Sequence, residues 1–489
     1  MRSLVYDALI PAFAVMLVWA IPAMEENLFK PDFRVRPDDY TVLMAYDARL
    51  PEGLKPMQAG AHGKFQVDGW TRPDQPLTWE VTVPAADAYA VNVLASRGDD
   101  RPLELTVSAA GQSASGTLRS GPGVWTRQAL DGVLRLPKGP QTIVLRARPP
   151  DNSAEFAASV LSVELVRPAV RDRLHEAAMA QRADTAWLQK AGYGLMSHWT
   201  SQSCPRRGDP KPYAQAVQDF DVETLANQVQ EAGAGFLVLT TSHAQFYFPA
   251  PIQAIDRILP GRTAQRDLVA DLADALGKRG IRLMLYYHIG AISDPQWLEA
   301  SGFWETDTSR IFSNWTAIIS DVGERYGDRL AGWWFDDGAV NYYYRGAPWE
   351  RLTRAAKAGH PQRLVAYNPW VLPSPTEFQD FCCGEGFRDA GAGGLLRVGG
   401  DGRYTAGTYQ GLQACATLIT EGDWVHGRKD AEIGKPRWAA EQLATMLGEF
   451  AKFRNVPIFN LEIYQEGTVS PTSVEVFKQA RRLWHERKP

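Results

Sequence analysis

The chain has 489 residues, of which 45% are hydrophobic and 22% are charged, and its formal net charge is −4. A chain of this length exceeds one compact core, so at least two domains are expected. The composition excludes global disorder, and a slightly acidic chain is not expected to have nucleic acid or an anionic membrane as its main partner.

The first thirty residues differ from the rest of the chain. Arg2 precedes an apolar run from Leu9 to Ala23, and the acidic pair Glu25-Glu26 follows. This order is typical of a secretory signal, and the run is too short to span a bilayer comfortably. We expect residues 1–30 to be a signal peptide or an N-terminal anchor, with a buried helix as the alternative, and the protein to be secreted or periplasmic. No later stretch of the sequence is long enough to be transmembrane.

Four cysteines provide neither a CxxC pair nor zinc-type spacing. We expect each of them to be a buried thiol. They are Cys204, Cys382, Cys383 and Cys415.

Residues 31–167 carry the pattern of an all-β domain. Apolar and polar residues alternate in runs that are separated by clusters of Gly, Pro and Asp, as in a β-sandwich. The runs begin at Trp79, Tyr89, Leu103, Ile143 and Leu161. The stretch is similar to the jelly-roll, carbohydrate-binding-type modules that precede many glycoside hydrolases. Trp70 and Trp125 are then either sugar platforms or residues that fill the sandwich and its contact with the next domain.

The pattern of residues 168–190 predicts a helical linker with Trp187 as its anchor. From residue 191 to residue 489, predicted strands alternate with predicted helices. This alternation over some three hundred residues predicts a (β/α)₈ barrel, so the fold class is a β-sandwich followed by a TIM-like barrel. Predicted strands cover 194–199, 236–241, 281–287, 330–336, 364–368, 378–383 and 457–461.

Polar residues end several of these strands. His198 ends the first, His243 the second, Tyr287 and His288 the third, and Asp336 the fourth. The carboxyl ends of barrel strands form one rim, where such enzymes carry their active sites. We therefore expect these side chains to form one site, and Asp337 to face outward or to cap the next helix.

The barrel segment resembles the α-L-fucosidase superfamily, glycoside hydrolase family 29. LMSHWTSQS is similar to the first-strand motif of the family, EAGAGFLVLTTSH to the second, and RDLVADLADALGKRGIRLMLYYH to the third. WWFDDG resembles the strand that carries the nucleophile, QDFCCGEG the segment that carries the acid/base, and FNLEIYQEGTVSP the closing strand.

The resemblance implies roles for individual residues. Asp336 takes the place of the nucleophile and Glu385 that of the acid/base, with Glu421 and Glu377 as alternatives for the second role. His198, His243 and Tyr287 match sugar-binding positions, and no metal or cofactor is implied. Further candidates for lining the sugar site are Trp199, His288, Trp334 and Trp424.

This sequence departs from the family pattern at positions that contact the sugar in the family. Ala244, Gln245 and Phe246 replace a histidine, an aspartate and a glycine of the second-strand motif, and residues 203–213 lack the Glu-Trp pair of many fucosidases. We therefore expect an exo-acting, retaining hydrolase of terminal α-L-fucosides or of related sugars such as α-L-galactosides, in oligo- or polysaccharides. A metal-dependent barrel hydrolase and a non-catalytic sugar-binding protein on the same fold are the alternatives.

Overall fold

The computed structural model describes residues 31–59, 63–151, 155–243, 245–289, 294–336, 343, 345–370, 372–385, 400–405 and 410–486. The predicted signal segment, Asp337 and Ala244 lie outside the described residues. No helix within these ranges is both long enough and apolar enough to cross a membrane.

Eleven described strands form two antiparallel sheets in the N-terminal part of the chain. They are β1 (Thr41–Met44), β2 (Lys55–Ala59), β3 (Gly63–Trp70), β4 (Leu77–Val83), β5 (Asp87–Arg97), β6 (Leu103–Ala109), β7 (Gln112–Leu118), β8 (Thr126–Ala129), β9 (Leu134–Leu136), β10 (Gly139–Arg148) and β11 (Ala158–Val166). One sheet has the order β2-β3-β11-β5-β8, with β1 beside β11 and β9 beside β5, and the other has the order β4-β10-β6-β7.

The two sheets share one apolar core, because every second side chain of their strands points inward. Val81 of β4, Val107 of β6 and Ile143 of β10 are fully buried together with Val93 and Val163 of the facing sheet. Trp70 also fills this core, where its Nε1–H donates to the carbonyl of Gln75. The predicted sandwich is confirmed, and Trp70 is one of its core residues rather than a sugar platform.

The predicted linker helix is two helices. α1 (Pro168–Gln181) and α2 (Ala186–Ala191) are separated by an extended turn, in which the N–H of Ala183 donates to Asp380 Oδ1 at 2.6 Å. Trp187 packs edge-on against Phe236 of the barrel, with ring centroids 5.9 Å apart. The linker is therefore helical but interrupted, because a buried carboxylate binds the backbone at the break.

Eight parallel strands form the second domain. They are β12 (Gly194–Ser197), β13 (Phe236–Ser242), β14 (Arg282–His288), β15 (Leu330–Asp336), β16 (Leu364–Tyr367), β17 (Phe381–Glu385), β18 (Gln413–Ile419) and β19 (Val456–Asn460). Their order is β16-β15-β14-β13-β12-β19-β18-β17, which is a nearly closed barrel. The sequence patterns predicted every one of these strands except β18.

Helices of the described chain cover the outside of this barrel. They are α3 (Tyr213–Asp219), α4 (Val222–Ala232), α5 (Gln253–Ile258), α6 (Leu268–Gly277), α7 (Pro295–Ser301), α8 (Ser309–Tyr326), α9 (Trp349–Ala356), α10 (Ala440–Lys452) and α11 (Pro471–Glu486). Short 3-10 turns occur at 45–47 and 327–329.

The barrel strands are buried on both faces, and alternation divides their side chains into two clusters. Tyr286 and Trp334 belong to the cluster inside the barrel, with Met196, Met284 and Cys383. Their neighbours Tyr287, Trp333 and Phe335 belong to the layer between the strands and the helices. All four cysteines are buried free thiols, as expected.

Side chains join the two end strands of the barrel. Asp380, just before β17, accepts the N–H of Val365 in β16 at 2.8 Å, and Gln379 accepts the N–H of Tyr367 at 3.2 Å. The Asp380 carboxylate also pairs with Lys357 Nζ at 2.9 Å, and both side chains are almost fully buried. Asp380 therefore satisfies backbone donors that an open sheet edge would leave unpaired.

Replacing Asp380 should destabilise the barrel strongly. Asp380→Ala leaves Lys357 as an unpaired buried charge, so we expect a loss of about 3–5 kcal/mol in the free energy of unfolding, measured by urea denaturation. Asp380→Asn combined with Lys357→Met should lose clearly less, because no unpaired charge remains. A loss below about 1 kcal/mol for Asp380→Ala would contradict this role.

Candidate active site

The carboxyl ends of three adjacent barrel strands bring two carboxyl groups and one amide together. Asp336 is the last residue of β15, Glu385 is the last residue of β17, and Asn368 follows β16 directly. Asn368 is fully buried, whereas Asp336 and Glu385 are half-buried. The arrangement places the polar end of each strand at the open rim of the barrel.

The amide of Asn368 bridges the two carboxyl groups. Its Nδ2 donates to Asp336 Oδ1 and to Glu385 Oε1, at 2.8 Å in both cases. Its Oδ1 accepts the N–H of Trp370 at 3.0 Å, which fixes the orientation of the amide. Because both carboxyl oxygens lie 2.8 Å from one nitrogen, they are at most twice that distance, 5.6 Å, apart.

The two acids have different surroundings. Burial, followed by the nearby Asp336 carboxylate, raises the pKa of Glu385 to about 8, and the hydrogen bond from Asn368 partly opposes this increase. Glu385 therefore keeps its proton at pH 7. Asp336 accepts a second hydrogen bond, from the Tyr286 hydroxyl at 2.5 Å, and two donors directed at one carboxylate stabilise its negative charge.

His198 is held as a neutral ring whose proton is on Nδ1. Its Nδ1 lies 2.7 Å from Asn460 Oδ1, and Asn460 Nδ2 donates to the carbonyl of Trp424 at 3.0 Å. Because Asn460 Oδ1 can only accept, His198 Nδ1 carries the proton. Burial and the neighbouring His243 lower the pKa of His198 to about 4. Its Nε2 can therefore accept a hydrogen bond from a hydroxyl group.

Other rings surround His198. Its centroid lies 4.7 Å from that of Tyr286, 5.1 Å from Trp424 and 5.8 Å from His243. His243 Nδ1 is buried and has no hydrogen-bond partner among the described residues. Burial also lowers the pKa of His243. His288 is buried beside His243, with ring centroids 5.4 Å apart. These groups form one polar and aromatic cluster next to Asp336.

Two residues predicted to line the site lie elsewhere. Tyr287 points into the outer layer, where it packs edge-on against Phe246 and Trp333, and the adjacent Tyr286 takes the place by Asp336. Trp199 is buried against Phe220, and its Nε1–H donates to the carbonyl of Gln465. Both predictions were wrong because each residue lies one position away from the one that faces the interior.

Two of the predicted tryptophans have different positions. Trp334 lies inside the barrel but is almost fully buried, stacked on Tyr286 at 5.2 Å, so it supports the site from beneath. Trp424 is half-buried beside His198. Its loop is anchored by Glu462, which accepts the N–H groups of Gly422 and Asp423, both at 3.1 Å. Of the two, Trp424 is the one that retains an exposed surface.

The alternative glutamates have other partners. Glu421 accepts the N–H of Glu462 at 3.0 Å and lies 2.5 Å from the Ser473 hydroxyl at the start of α11. Burial raises the pKa of Glu421 to about 7. Glu377 pairs with His175 of α1 at 2.8 Å. Among the hydrogen bonds of the described residues, Glu385 is the one of these three glutamates that shares a partner, Asn368, with Asp336.

Three residues of this cluster were not recognised as site residues from the sequence. Asn368 and Asn460 are polar residues at or next to the end of an apolar strand, the same signal that identified Asp336, and Tyr286 is the neighbour of the tyrosine that was chosen. Within the described residues, no group of three or more His, Cys, Asp or Glu side chains is arranged to hold a metal ion.

Comparison with known proteins identifies the barrel segment. Residues 211–390, which include Asp336, Asn368 and Glu385, match the family model described as alpha-L-fucosidase. The segment resembles the α-L-fucosidases. The resemblance seen in the sequence motifs is thereby confirmed. His198, Trp424 and Asn460 lie outside the matched residues.

One curated relative and several solved structures are similar to the chain. Human tissue alpha-L-fucosidase is 26% identical over 190 residues, which cover 32% of this chain and 39% of that protein. The chain therefore matches about two fifths of the length of this fucosidase.

Two solved structures of fucosidases are also similar to the chain. Alpha-L-fucosidase isoenzyme 1 from Paenibacillus thiaminolyticus is 16% identical, with a TM-score of 0.47 over 64% of this chain and 76% of its own. Alpha-L-fucosidase AlfC from Lactobacillus casei is 15% identical, with a TM-score of 0.45 over 62% of this chain and 98% of its own.

Replacing Asn368 and replacing Asp336 should shift the pKa of Glu385 in opposite directions. Asn368→Ala removes a donor that favours the ionised acid, so the pKa should rise above its value of about 8, whereas Asp336→Asn removes a repelling charge and should lower it. NMR of protein labelled at the glutamate carboxyl carbons measures both changes.

Two variants assign the NMR signals. The resonance that titrates near pH 8 should disappear in Glu385→Gln, and the one near pH 7 should disappear in Glu421→Gln. A Glu385 signal that does not move in either Asn368→Ala or Asp336→Asn contradicts the bridge.

Proposed function

We propose that the protein is an exo-acting, retaining glycoside hydrolase that removes terminal α-L-fucose, or a related sugar such as α-L-galactose, from oligo- or polysaccharides. The observation that carries the proposal is the Asn368 bridge, which keeps the two bonded oxygens, Asp336 Oδ1 and Glu385 Oε1, within 5.6 Å of each other and so holds the two carboxyl groups side by side. Retaining enzymes hold their carboxyl groups about 5–5.5 Å apart, and inverting enzymes about 6.5–9.5 Å apart.

The reaction takes two steps. In the first, Asp336 Oδ attacks the anomeric carbon while the Glu385 carboxylic acid gives its proton to the departing glycosidic oxygen, so an ester with the sugar forms and the alcohol leaves. In the second, the Glu385 carboxylate takes a proton from water, the water oxygen attacks the same carbon, and Asp336 is released. Two inversions leave the anomeric configuration as it was.

The protonation states suit this division of roles. The pKa of Glu385, raised to about 8 by burial and by the Asp336 charge, keeps the acid protonated at neutral pH in the first step. Once Asp336 becomes an ester its charge is lost, and the pKa of Glu385 should fall, which favours its role as a base in the second step.

The remaining side chains can bind the sugar. Neutral His198 offers Nε2 as an acceptor, the half-buried His243 ring lies beside it, and the half-buried Trp424 ring offers an apolar face. Phe246 is not available to the sugar, because it is fully buried and stacked on Trp297 at 3.5 Å. Because this segment differs from the family pattern, the terminal sugar is proposed to be either α-L-fucose or α-L-galactose. The resemblance of the chain to α-L-fucosidases favours α-L-fucose.

Turnover of aryl α-L-glycosides by matched glutamate variants tests the proposal. Glu385→Gln should lower kcat/KM by about 10²–10⁴-fold for substrates with poor leaving groups, the usual contribution of general acid catalysis. Glu421→Gln is the control, because it alters a second buried glutamate of raised pKa whose partners lie away from the bridge, and it should retain turnover. Asp336→Asn should lose most turnover without unfolding.

Azide identifies the role of Glu385 further. With an activated aryl glycoside, azide should restore the turnover of Glu385→Gln and yield a glycosyl azide of unchanged anomeric configuration. A panel of α- and β-glycosides of L-fucose, L-galactose and other sugars identifies the substrate.

Three outcomes would contradict the proposal. A wild-type rate in Asp336→Asn would show that Asp336 is not the nucleophile. Activity that is lost on dialysis against a chelator and returns with zinc would favour the metal-dependent hydrolase. Calorimetric binding of a sugar without cleavage of any glycoside would favour the non-catalytic sugar-binding protein.

A further inference from the structure

The N-terminal sandwich packs against the loops that follow the two neighbouring strands β15 and β16. A cross-domain apolar cluster joins them, and Tyr343, Trp370 and Leu372 are its barrel members. Its sandwich members are Val42, Met44, Tyr46, Phe65, Leu94, Trp125 and Leu161. Because β15 ends in Asp336 and Asn368 follows β16, the sandwich touches the loops that continue directly from the catalytic rim.

Polar contacts hold the same interface. The Tyr343 hydroxyl donates to the Glu164 carboxylate and lies 3.0 Å from Ser162 Oγ, and all three side chains are buried. Arg127 of the sandwich pairs with Glu164 at 3.0 Å. Separating the domains would take the Tyr343 hydroxyl away from the buried Glu164 carboxylate, which costs hydrogen-bond free energy, so this contact favours the observed orientation of the two domains.

Trp370 connects this interface to the two carboxyl groups. Its N–H donates to Asn368 Oδ1 at 3.0 Å, and its carbonyl accepts the N–H of Glu385 at 3.4 Å. On its other side, its indole ring packs against Phe65 with centroids 6.4 Å apart, and Phe65 packs edge-on against Trp125 at 6.2 Å. One residue therefore contacts the acid/base, the bridging amide and the other domain.

The backbone of Trp370 is left-handed, with φ of +54°. A bulky residue adopts this conformation only where its surroundings hold it there. The contacts that can do so are the hydrogen bond to Asn368 and the packing of the indole ring against the sandwich. If the ring loses its support, the backbone can relax and move the groups bonded to it.

We propose that Phe65, supported by Trp125, is a positioning residue for Glu385 and acts through Trp370. The inference rests on the proposed function. It makes the sandwich a part of the catalytic unit rather than an independent sugar-binding module. Since a proton donor must lie close to the departing oxygen, a small displacement of Glu385 weakens proton transfer before it weakens nucleophilic attack.

The leaving-group dependence of kcat/KM tests this role. A 2,4-dinitrophenyl glycoside departs with little help from an acid, whereas a phenyl glycoside requires protonation of its oxygen. In Phe65→Ala, kcat/KM should fall about tenfold or more for the phenyl glycoside and change less than about twofold for the dinitrophenyl glycoside. The slope of log kcat/KM against leaving-group pKa should therefore become steeper than in the wild type.

Trp370→Gly tests the same connection from the barrel side. Glycine accepts the left-handed backbone but removes the ring that reaches Phe65. It should show the same steeper slope, and combining it with Phe65→Ala should add little, because both changes break one connection.

Trp70→Phe is the matched control for stability. Trp70 is an aromatic residue of the same sandwich, fully buried in its core and bonded to Gln75 rather than to the barrel. This variant should lower Tm but leave the slope unchanged. Phe65→Leu, a milder change, serves if Phe65→Ala does not fold.

The possible results separate this inference from the proposed function. A wild type that cleaves no aryl glycoside, or that is unaffected by Asp336→Asn, would overturn the function itself. A wild type that behaves as proposed, with Phe65→Ala and Phe65→Leu showing the wild-type slope or an equal loss for all substrates, would overturn only the positioning role.

Discussion

One amide group determines the geometry of this site. Asn368 Nδ2 donates to Asp336 and to Glu385 at the same distance, 2.8 Å, and its carbonyl oxygen is held by the backbone of Trp370. The bridge requires the ends of β15, β16 and β17 to lie side by side, which in turn requires the barrel to close where Asp380 joins β16 to β17. Closure of the barrel and the spacing of the acids are therefore coupled.

The same neighbourhood gives the two acids different chemistry. Burial and a nearby negative charge raise the pKa of Glu385, whereas Asp336 has two hydrogen-bond donors directed at its carboxylate. Two carboxyl groups thereby take different protonation states, one as a proton donor and the other as a negatively charged nucleophile. The proposed mechanism depends on this difference. The sandwich contributes to this arrangement through Trp370, the residue that both orients Asn368 and packs against Phe65.

Sequence alone predicted the sandwich, the barrel and the residues that end its strands, because alternation, strand-helix order and an acid after an apolar run are local features. It could not decide which of two adjacent tyrosines faces the interior: Tyr286 and Tyr287 are identical side chains on opposite faces of one strand. The role of Asn368 was also hidden, because it exists only when three separate strand ends meet. The contact of Trp125 and Phe65 with Trp370 depends on domain packing, for which no local pattern exists.

The central claim is that Asp336 forms a transient ester with the anomeric carbon of the substrate. An activated 2-deoxy-2-fluoro-L-fucosyl donor slows the second step and should trap this ester, so mass spectrometry of a digest should find one added sugar on the peptide that contains Asp336. Asp336→Asn should remain unlabelled under the same conditions. A label on any other carboxylate, or a released sugar of inverted anomeric configuration, would contradict the account.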